Sequence, residues 1–452
     1  MKKHTQSPYE SSKVSYKPSG IEWLGEIPKH WEICKLNKIS YFINGYAFES
    51  SHFDYSFSIP VIRIGDIQND KIIYHTCLMT KEQENLKNFM IYRGDIVIAL
   101  SGATTGKFAV CNSNKKAYIN QRVAIIRSDI KILKYYLSTF GFVNYIDMLC
   151  NGSAQPNIST KEVGNFKIPL PPLQEQKEIA EFLDSKCEKI QNYIDKKQKL
   201  ITLLQEKKQA LINEAVTKGL NPNIESKNSG IEYLGLIPHH WEVKKLKYVG
   251  KVVLGKMLCN EYQKGYSHCY YLKSKNLQWL NVEVSQVEKM WFSEYEKSLY
   301  RIKKDDLLVS EGGEVGKTCI WNNELAECYI QNSVHKITLN KFNNAKFFLY
   351  AFFAYGKLGV FDSVVSRVSI AHLVLEKLVN VDMVVPPLQE QKQIANFLDK
   401  KCEKINSAIE KTKRQIKLIK EYKNTLINEA VCGRVACSRD FSPTAQNDKK
   451  KN

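Results

Sequence analysis

The segment SGIEWLGEIPKHWEICKL (Ser19–Leu36) returns in the second half of the chain as SGIEYLGLIPHHWEVKKL (Ser229–Leu246). A second segment, PPLQEQKEIAEFLDSKCEKI from Pro171, returns as PPLQEQKQIANFLDKKCEKI from Pro386. LINEAV also occurs twice, at Leu211 and at Leu426. The paired segments lie at similar offsets, 210 residues for the first pair and 215 for the other two, which indicates an internal duplication. We therefore predict two similar halves, each with the same opening segment, a diverged middle and the same closing segment.

The closing segments predict two long helices. Apolar or small residues follow the three- and four-residue steps of a coiled-coil seam; in the first copy they are Ile179, Leu183, Cys187, Ile190, Ile194, Ile201, Leu204, Leu211 and Ala215, and in the second Ile394, Leu398, Cys402, Ile405, Ile409, Ile416, Ile419, Leu426 and Ala430. Lys197 and Lys208 interrupt the first seam. Pro-Pro pairs mark the helix starts, and Gly219 and Gly433 mark the ends.

Each predicted helix would be about 65 Å long. An isolated helix of that length with one apolar stripe needs a partner to cover the stripe. The natural partner is the other copy, which gives an antiparallel coiled coil. The alternative is that each helix only covers its neighbouring domain.

The middles have the pattern of mixed α/β domains. Short β-rich runs separated by Gly, Asn and Ser turns precede an apolar helix; the runs are 59–64, 95–100 and 123–127, with a helix near 133–148, and in the second half 270–272, 306–310 and 333–339, with a helix at 345–361. The predicted class is α/β (α+β). The predicted boundaries are a flexible tail 1–18, a domain 19–168, a helix 169–219, a domain 220–383, a helix 384–435 and a disordered tail 436–452.

Composition narrows the class of partner. The 66 Lys and Arg against 47 Asp and Glu give a net charge of +19, which attracts polyanions such as nucleic acids. Twelve cysteines lie singly, without zinc or disulfide spacing. The polar start of the chain lacks a signal peptide, and no long apolar run predicts a membrane span. We expect a reduced, cytoplasmic protein that uses no membrane and no metal.

Motifs for catalysis are not evident. SGATTGKF from Ser101 and EGGEVGKT from Glu311 approach a phosphate-binding loop, but only three residues separate the glycines where four are needed. A tight turn that places a lysine at the surface is the better interpretation. The Asn/Asp-Pro-Pro-aromatic tetrapeptide of amino-methyltransferases, HExxH and GxSxG are all missing. His30 and His240, beside repeated tryptophans, are interpreted as structural.

Each middle nevertheless carries residue types that read bases in the major groove: Arg or Lys for guanine, and Asn or Gln for adenine. YINQ at Tyr118 faces YIQN at Tyr329, and Gly106-Lys107 faces Gly316-Lys317. The candidate DNA-binding residues are Arg63, Ser101, Thr104, Thr105, Lys107, Asn120, Gln121 and Arg122 in the first middle and Lys273, Lys275, Glu311, Lys317, Gln331 and Asn332 in the second. For any one of them a solvated or turn-stabilising role is the alternative.

From Ser19 to Val435 the chain resembles the specificity subunit of type I restriction-modification systems. The resemblance rests on the two SGIExLGxIPxHW segments and the two PPLQEQxxIAxFLD helix starts. YINQ and SAQPNIS (Ser153–Ser159) in the first middle support it, as do LGKML (Leu254–Leu258), YLKSKNLQW (Tyr271–Trp279) and EGGEVGK in the second. The second middle departs from the pattern, because VSRVSIAHL (Val365–Leu373) stands where the first has GSAQPNIST.

The resemblance implies a non-catalytic subunit that reads a bipartite site in double-stranded DNA, one half-site per domain. It implies that the coiled coil fixes the gap between half-sites and docks two methyltransferase subunits, which restriction subunits with a helicase motor then join. S-adenosylmethionine, ATP and magnesium would belong to those partners, with no cofactor in this chain.

Two other hypotheses remain open on the sequence alone. One is a single-chain methyltransferase or nuclease with unrecognised motifs, which would modify or cut DNA without a partner. The other is a structural coiled-coil adaptor, for which replacing Lys107 and Arg63 by Ala would leave DNA affinity unchanged. If either residue contacts a base, its replacement by Ala would weaken DNA binding by about 1 to 3 kcal/mol.

Overall fold

The computed structural model describes residues 15–68, 70–152, 155–364 and 372–435. The chain folds as two compact units. Unit 1 takes its residues from Met1–Lys196 and Gln415–Asn452, and unit 2 consists of Lys197–Arg414. Because the unit boundaries fall inside the two long helices, each unit contains the first part of one long helix and the last part of the other.

Unit 1 is built on a four-stranded antiparallel sheet and a three-stranded sheet. Its strands are β1 Tyr16–Pro18, β2 Glu26–Pro28, β3 Glu32–Lys35, β4 Tyr41–Asn44, β5 Ile59–Ile62, β6 Ile67–Gln68, β7 Lys71–Ile72, β8 Leu78–Thr80, β9 Ile96–Ala99, β10 Phe108–Val110, β11 Tyr118–Ile119, β12 Val123–Arg127 and β13 Lys167–Leu170. The larger sheet has the order β10-β9-β12-β4, and the smaller has the order β11-β5-β8, in which β11 and β5 are parallel. Strands β1 and β2, β3 and β13, and β6 and β7 form separate pairs.

The helices of unit 1 cover one face of the larger sheet. They are α1 Leu133–Leu137, α2 Phe140–Cys150 and α3 Thr160–Gly164, followed by the long helix α4 Leu173–Lys218, which continues into unit 2. Ile96, Ile98, Ala124 and Ile126 alternate onto this face and share a core with α1 and α2. The opposite face, with Val97 and Ile125, forms a second core with Ile62 of β5 and Ile119 of β11 in the smaller sheet.

Unit 2 repeats this topology. Its strands are β14 Ser226–Asn228, β15 Leu236–Pro238, β16 Glu242–Lys245, β17 Gly250–Leu254, β18 Ser267–Leu272, β19 Leu277–Gln278, β20 Asn281–Val282, β21 Glu288–Phe292, β22 Leu307–Ser310, β23 Thr318–Ile320, β24 Tyr329–Ile330, β25 Val334–Leu339 and β26 Asp382–Val385. Its helices are α5 Leu246–Val249, α6 Glu294–Tyr300, α7 Ala345–Lys357, α8 Val360–Val364, α9 Leu375–Leu378 and the long α10 Leu388–Val431. The sheets β23-β22-β25-β17 and β24-β18-β21 match β10-β9-β12-β4 and β11-β5-β8 of unit 1 strand for strand, so the predicted duplication and mixed class are confirmed.

The two long helices pair in antiparallel fashion inside each unit. In unit 1, Ile179 and Leu183 of α4 share a core with Ile427 and Ala430 of α10. In unit 2, Ile212 of α4 lies in one core with residues near the start of α10, and Lys208 Nζ donates to Asn406 Oδ1 at 3.0 Å. The start of each helix therefore packs beside the end of the other. This confirms the coiled-coil interpretation over a helix that only covers its own domain.

Burial follows the predicted seam through its middle and widens at its ends. Five predicted seam residues are buried there, Ile190, Ile194, Ile201, Ile409 and Ile416, whereas Leu204, Ile405 and Ile419 are half-buried. Further positions off the seam are also buried near the helix ends: Ala180, Ile212, Val216, Ala395 and Val431. The reason is that each end packs against both its partner helix and a globular core, so a wider stripe is covered.

Several elements begin or end elsewhere than the sequence pattern indicates. Residues 16–18, assigned to the tail, form β1, which pairs with β2. The helix expected at 133–148 is broken at Ser138–Thr139, where Thr139 Oγ1 caps α2 by accepting from Phe142 N at 3.2 Å. The helix expected at 345–361 is likewise broken at Gly359, whose φ is +75°. Capping and a positive φ end these helices, although their apolar pattern continues.

Candidate nucleic-acid interface

The candidate residues of unit 1 meet at the carboxyl end of β9. There the chain makes the glycine turn 102–106, and the segments 120–122 and 155–158 lie beside it. Leu100 N donates to Arg122 O at 2.9 Å and Ile158 N donates to Leu100 O at 2.9 Å, which fixes the three segments together. They enclose an open cleft of about 840 Å³, lined by Leu100, Ser101, Gly102, Ala103, Gln121, Arg122, Gln155, Pro156, Asn157 and Ile158.

Some of the unit 1 candidates are exposed, and the others are buried or hydrogen-bonded within the unit. Gln121 and Arg122 are exposed at the cleft, and Lys107 is exposed on the turn. Thr105 Oγ1 donates to Gly102 O at 2.7 Å and therefore stabilises the turn. Ser101 is buried, and Asn120 is half-buried with its backbone N donating to Ile62 O at 2.9 Å. Two hydroxyls, Ser101 Oγ and Thr104 Oγ1, are buried with no hydrogen-bond partner among the described residues.

Arg63 has a structural partner. Its Nε donates to the buried Asp66 carboxylate at 3.1 Å, and one terminal nitrogen donates to Thr76 O at 2.6 Å. Removing this guanidinium would leave a buried carboxylate short of a donor, which is costly in itself. Arg63→Ala therefore tests stability together with DNA binding, and Arg122 is the cleaner position for a binding test.

Unit 2 reproduces the same backbone framework around its own candidates. Glu311 N donates to Ser333 O at 2.9 Å, which corresponds to the bond from Leu100 N to Arg122 O in unit 1. Leu373 N donates to Glu311 O at 2.8 Å, which corresponds to the bond from Ile158 N to Leu100 O. Gln331 N donates to Leu272 O at 3.0 Å, as Asn120 N does to Ile62 O. The predicted alignment of YINQ with YIQN, and of the two Gly-Lys turns, is thus reproduced in the hydrogen bonds. The frame is constant while the side chains on it differ.

The side chains of unit 2 are more heavily paired. Lys317 Nζ lies 3.1 Å from Glu314 Oε2 and is mostly covered, so the expected surface lysine is found in unit 1 only. Gln331 Oε1 accepts from Ser333 N at 3.1 Å, and the Gln331 amide nitrogen donates to Asn332 Oδ1. Burial raises the pKa of Glu311. Neither glycine turn leads into a helix, because β10 and β23 follow them, so neither is a phosphate-binding loop.

Glu288 holds both remaining lysine candidates. Its carboxylate accepts from Lys273 Nζ at 2.6 Å, Lys275 Nζ at 3.2 Å and Tyr271 OH at 2.9 Å. These hydrogen bonds, that of Lys273 first, lower the pKa of Glu288 to about 2. The carboxylate is therefore ionised at neutral pH and offsets the charge of two lysines that would otherwise attract phosphate.

We expect Glu288→Gln to tighten DNA binding severalfold and to steepen its dependence on salt, since released lysines displace more counterions. Titrating labelled duplex at several salt concentrations measures both. Glu242→Gln is the matched control, because Glu242 is also exposed and paired with one lysine, Lys244, but lies in the opening segment. Equal affinities for Glu288→Gln and the unaltered chain would contradict the expectation.

Polar contacts that were not predicted from the sequence anchor the start of each long helix. Trp31 Nε1 and His30 Nε2 contact Glu175 at 2.8 and 2.7 Å, at the start of α4. In unit 2, Trp241 Nε1 and His240 Nε2 contact Glu390 at 3.1 and 2.8 Å. The structural interpretation of the two histidines is therefore confirmed. The signal was present in the repeats, because both opening segments retain His-Trp and both PPLQEQ segments retain the same glutamate.

The SAQPNIS segment and its counterpart VSRVSIAHL are described only in part. Of SAQPNIS, Gln155–Ser159 are described, and Asn157 forms an isolated β-bridge with Ser101. Of the VSRVSIAHL segment only His372 and Leu373 are described, and His372 bridges Gly312 at the matching place. The other residues in which VSRVSIAHL departs from GSAQPNIST, 365–371, lie outside the described ranges.

Comparison with known proteins identifies the family. The family model described as type I restriction modification DNA specificity domain matches residues 28–203 and 238–418. The chain belongs to this family. A putative type I restriction enzyme MjaX specificity subunit from Methanocaldococcus jannaschii is 26% identical over 427 residues, 91% of this chain and 95% of that protein. The type I restriction enzyme EcoAI specificity subunit of Escherichia coli is 32% identical over 172 residues, 35% of this chain and 28% of that protein.

A solved structure shares the fold. It comes from work on complex assembly and conformational transition of the type I restriction-modification system, and it aligns with a TM-score of 0.69 and 15% identity over 90% of this chain and 99% of that one. Specificity subunits supply DNA specificity within a complex of restriction-modification subunits. They carry no cofactor, and catalysis resides in their partners. The hypothesis of a single-chain methyltransferase or nuclease is therefore wrong.

The described ranges contain neither a membrane-spanning helix nor a cluster of metal ligands. No helix there is long and apolar enough to cross a membrane. No group of three or more His, Cys, Asp or Glu side chains there could hold a metal ion.

Proposed function

We propose that this specificity subunit reads a bipartite sequence in double-stranded DNA, with one half-site contacted by each unit at the carboxyl end of β9 or β22. Domains 19–168 and 220–383 would be the two readers. The candidate residues exposed there, Gln121 and Arg122 first, would contact base edges, and Lys107 would contact a phosphate or a base.

One observation carries this proposal. The same backbone hydrogen bonds hold the loops of both units, yet Gln121 and Arg122 of one loop are replaced by Asn332 and Ser333 in the other. A constant frame with exchanged polar side chains suits two readers that share a geometry and differ in target. An adaptor without DNA contacts would gain nothing from this pattern.

We further propose that α4 and α10 dock two methyltransferase subunits and set the gap between half-sites. Each helix runs through both units, so a change in the length of either helix would affect both readers. Holding two short readers together raises the effective concentration of the second once the first is bound. Restriction subunits would join this core in the cytoplasm, and S-adenosylmethionine, ATP and magnesium would be bound by the partners.

The decisive experiment is footprinting of the chain assembled with its methyltransferase partner, combined with mapping of methylated adenines in cells with and without the gene. We expect two protected stretches separated by an unprotected spacer, and methylation that disappears with the gene. One contiguous protected stretch would contradict the model of two readers.

A single substitution tests the unit 1 cleft. We expect Arg122→Ala to weaken binding by about 1 to 3 kcal/mol and to relax specificity at one position of one half-site, as loss of a base contact does. Arg93→Ala is the charge-matched control, since Arg93 is exposed in the turn before β9, at the other end of that strand. If both variants lost affinity equally for every sequence, Arg122 would be a phosphate contact.

A further inference from the structure

The loop that follows β17 in unit 2 lies against the candidate reading segment. Lys256 N donates to Ile330 O at 3.0 Å, and Asn332 N donates to Lys256 O at 2.8 Å. Gly255 makes this approach possible, because a Cβ on it would stand 2.3 Å from Gln331 O. The residues after Lys256 therefore begin beside the Gln331-Asn332 pair.

The same loop is held a second time, on the edge of β21. Trp291 N donates to Cys259 O at 3.0 Å, and the ring of Tyr262 meets the Trp291 ring edge-on, with centroids 5.0 Å apart. Between the two anchors stand Met257 and Leu258, which we call the apolar tip. Met257 is 75% exposed and Leu258 is 53% exposed. A loop held at both sides thus presents two adjacent large apolar side chains to solvent.

Unit 1 has no such tip at the corresponding place, which lies within its described residues. Tyr46 N donates to Ile119 O at 3.1 Å, as Lys256 N does to Ile330 O, so Ala47 and Phe48 correspond to the tip. Ala47 is small, and Phe48 turns inward, with its ring 6.0 Å from that of Tyr118 and 5.7 Å from that of Phe53. The two units therefore differ at this place, since unit 2 presents two exposed apolar side chains and unit 1 does not.

We propose that the apolar tip contacts the 5-methyl group of a thymine in the half-site read by unit 2. This rests on the proposed function and deepens it. In the major groove, thymine alone among the four bases offers a methyl group, and apolar side chains recognise it. The amide of Asn332, next to the tip, is of the type that reads adenine, the partner of thymine. Because the loop is held at both ends, the tip would meet the methyl group without loss of loop freedom.

The test uses the chain assembled with its methyltransferase partner and a duplex that carries the mapped site. Each thymine of the unit 2 half-site is replaced in turn by deoxyuridine, which removes only the methyl group. At one position we expect affinity to fall about fourfold, the effect of exposing one buried methyl group. In Met257→Ala or Leu258→Ala this penalty is expected to disappear. Met148→Ala, equally exposed at 72% but located in unit 1, is expected to keep it.

Three outcomes would overturn the inference: no thymine in the half-site sensitive to the replacement, a penalty undiminished in both tip variants, or a half-site without an A·T pair. In each case the footprint of the second half-site would persist, so the proposed function would stand. If instead the second footprint were missing from the unaltered complex, the proposed function itself would fail. Thermal melting of the tip variants, expected to match the unaltered chain, verifies that the exposed substitutions leave the fold intact.

Discussion

Gly255→Ala should abolish recognition of one half of the DNA target while recognition of the other half persists. The new Cβ would lie 2.3 Å from Gln331 O and 2.6 Å from Ile330 C, both backbone atoms that cannot rotate away. The loop must separate from β24, which breaks the hydrogen bond from Lys256 N to Ile330 O. Because this bond aligns the candidate reading segment, we expect specific affinity to fall on the order of a hundredfold or more, towards non-specific binding.

Gly45→Ala should have the reciprocal effect in unit 1. Its Cβ would lie 2.0 Å from Asn120 O, the corresponding carbonyl. Competition binding against duplexes with either half-site scrambled measures which half is lost in each variant. The matched control is Gly65→Ala, since a Cβ on Gly65 meets no atom within 4 Å.

Two results would contradict this pair of predictions. One is an unchanged preference for the intact site in Gly255→Ala. The other is loss of the same half-site in both glycine variants, because that would mean that the two loops serve one target.

Trp241→Ala is expected to cost about 3 to 5 kcal/mol in the free energy of unfolding, the usual effect of truncating a buried tryptophan. Trp241 is fully buried, donates to Glu390 at the start of α10, and would lie 3.3 Å from a Cβ placed on Gly219, just past the end of α4. One side chain thus packs against both long helices within unit 2. Such a loss is a large part of the roughly 5 to 15 kcal/mol that stabilises a typical domain.

Urea unfolding followed by circular dichroism measures this effect, and Trp31→Ala is expected to act similarly through Glu175 in unit 1. Tyr295→Ala is the control, because Tyr295 is 76% exposed and its loss should change stability by less than about 0.5 kcal/mol. A midpoint for Trp241→Ala equal to that of the control would show that the tryptophan does not hold the helices.

The local pattern of the sequence was enough to locate the long helices. The Pro-Pro pairs precede Leu173 and Leu388, where α4 and α10 begin, and Gly219 and Gly433 end them with φ of +74° and +71°. These signals act within one turn of helix, so they do not depend on the rest of the fold. The apolar seam is equally local, because it follows from the helical repeat.

Residue types predicted only part of the candidate site. Gln121, Arg122 and Lys107 are exposed as a reader needs, but Arg63, Lys273 and Lys317 are paired with carboxylates of their own unit. Such pairs depend on how each turn closes and on which strands lie beside each other. Residue type alone cannot anticipate them.

By itself, the sequence determined that the chain is duplicated, that each copy ends in a long helix, and that a polar loop recurs at a matching position in both. These properties follow from repetition, helix periodicity and turn chemistry, all of which are written in neighbouring residues. Tertiary structure alone decided which polar side chains are exposed, and it bonded Asn332 N to Lys256 O, next to Met257 and Leu258 in the chain. Those outcomes depend on how separate segments fold against one another, where burial and competing ion pairs determine the role of each side chain.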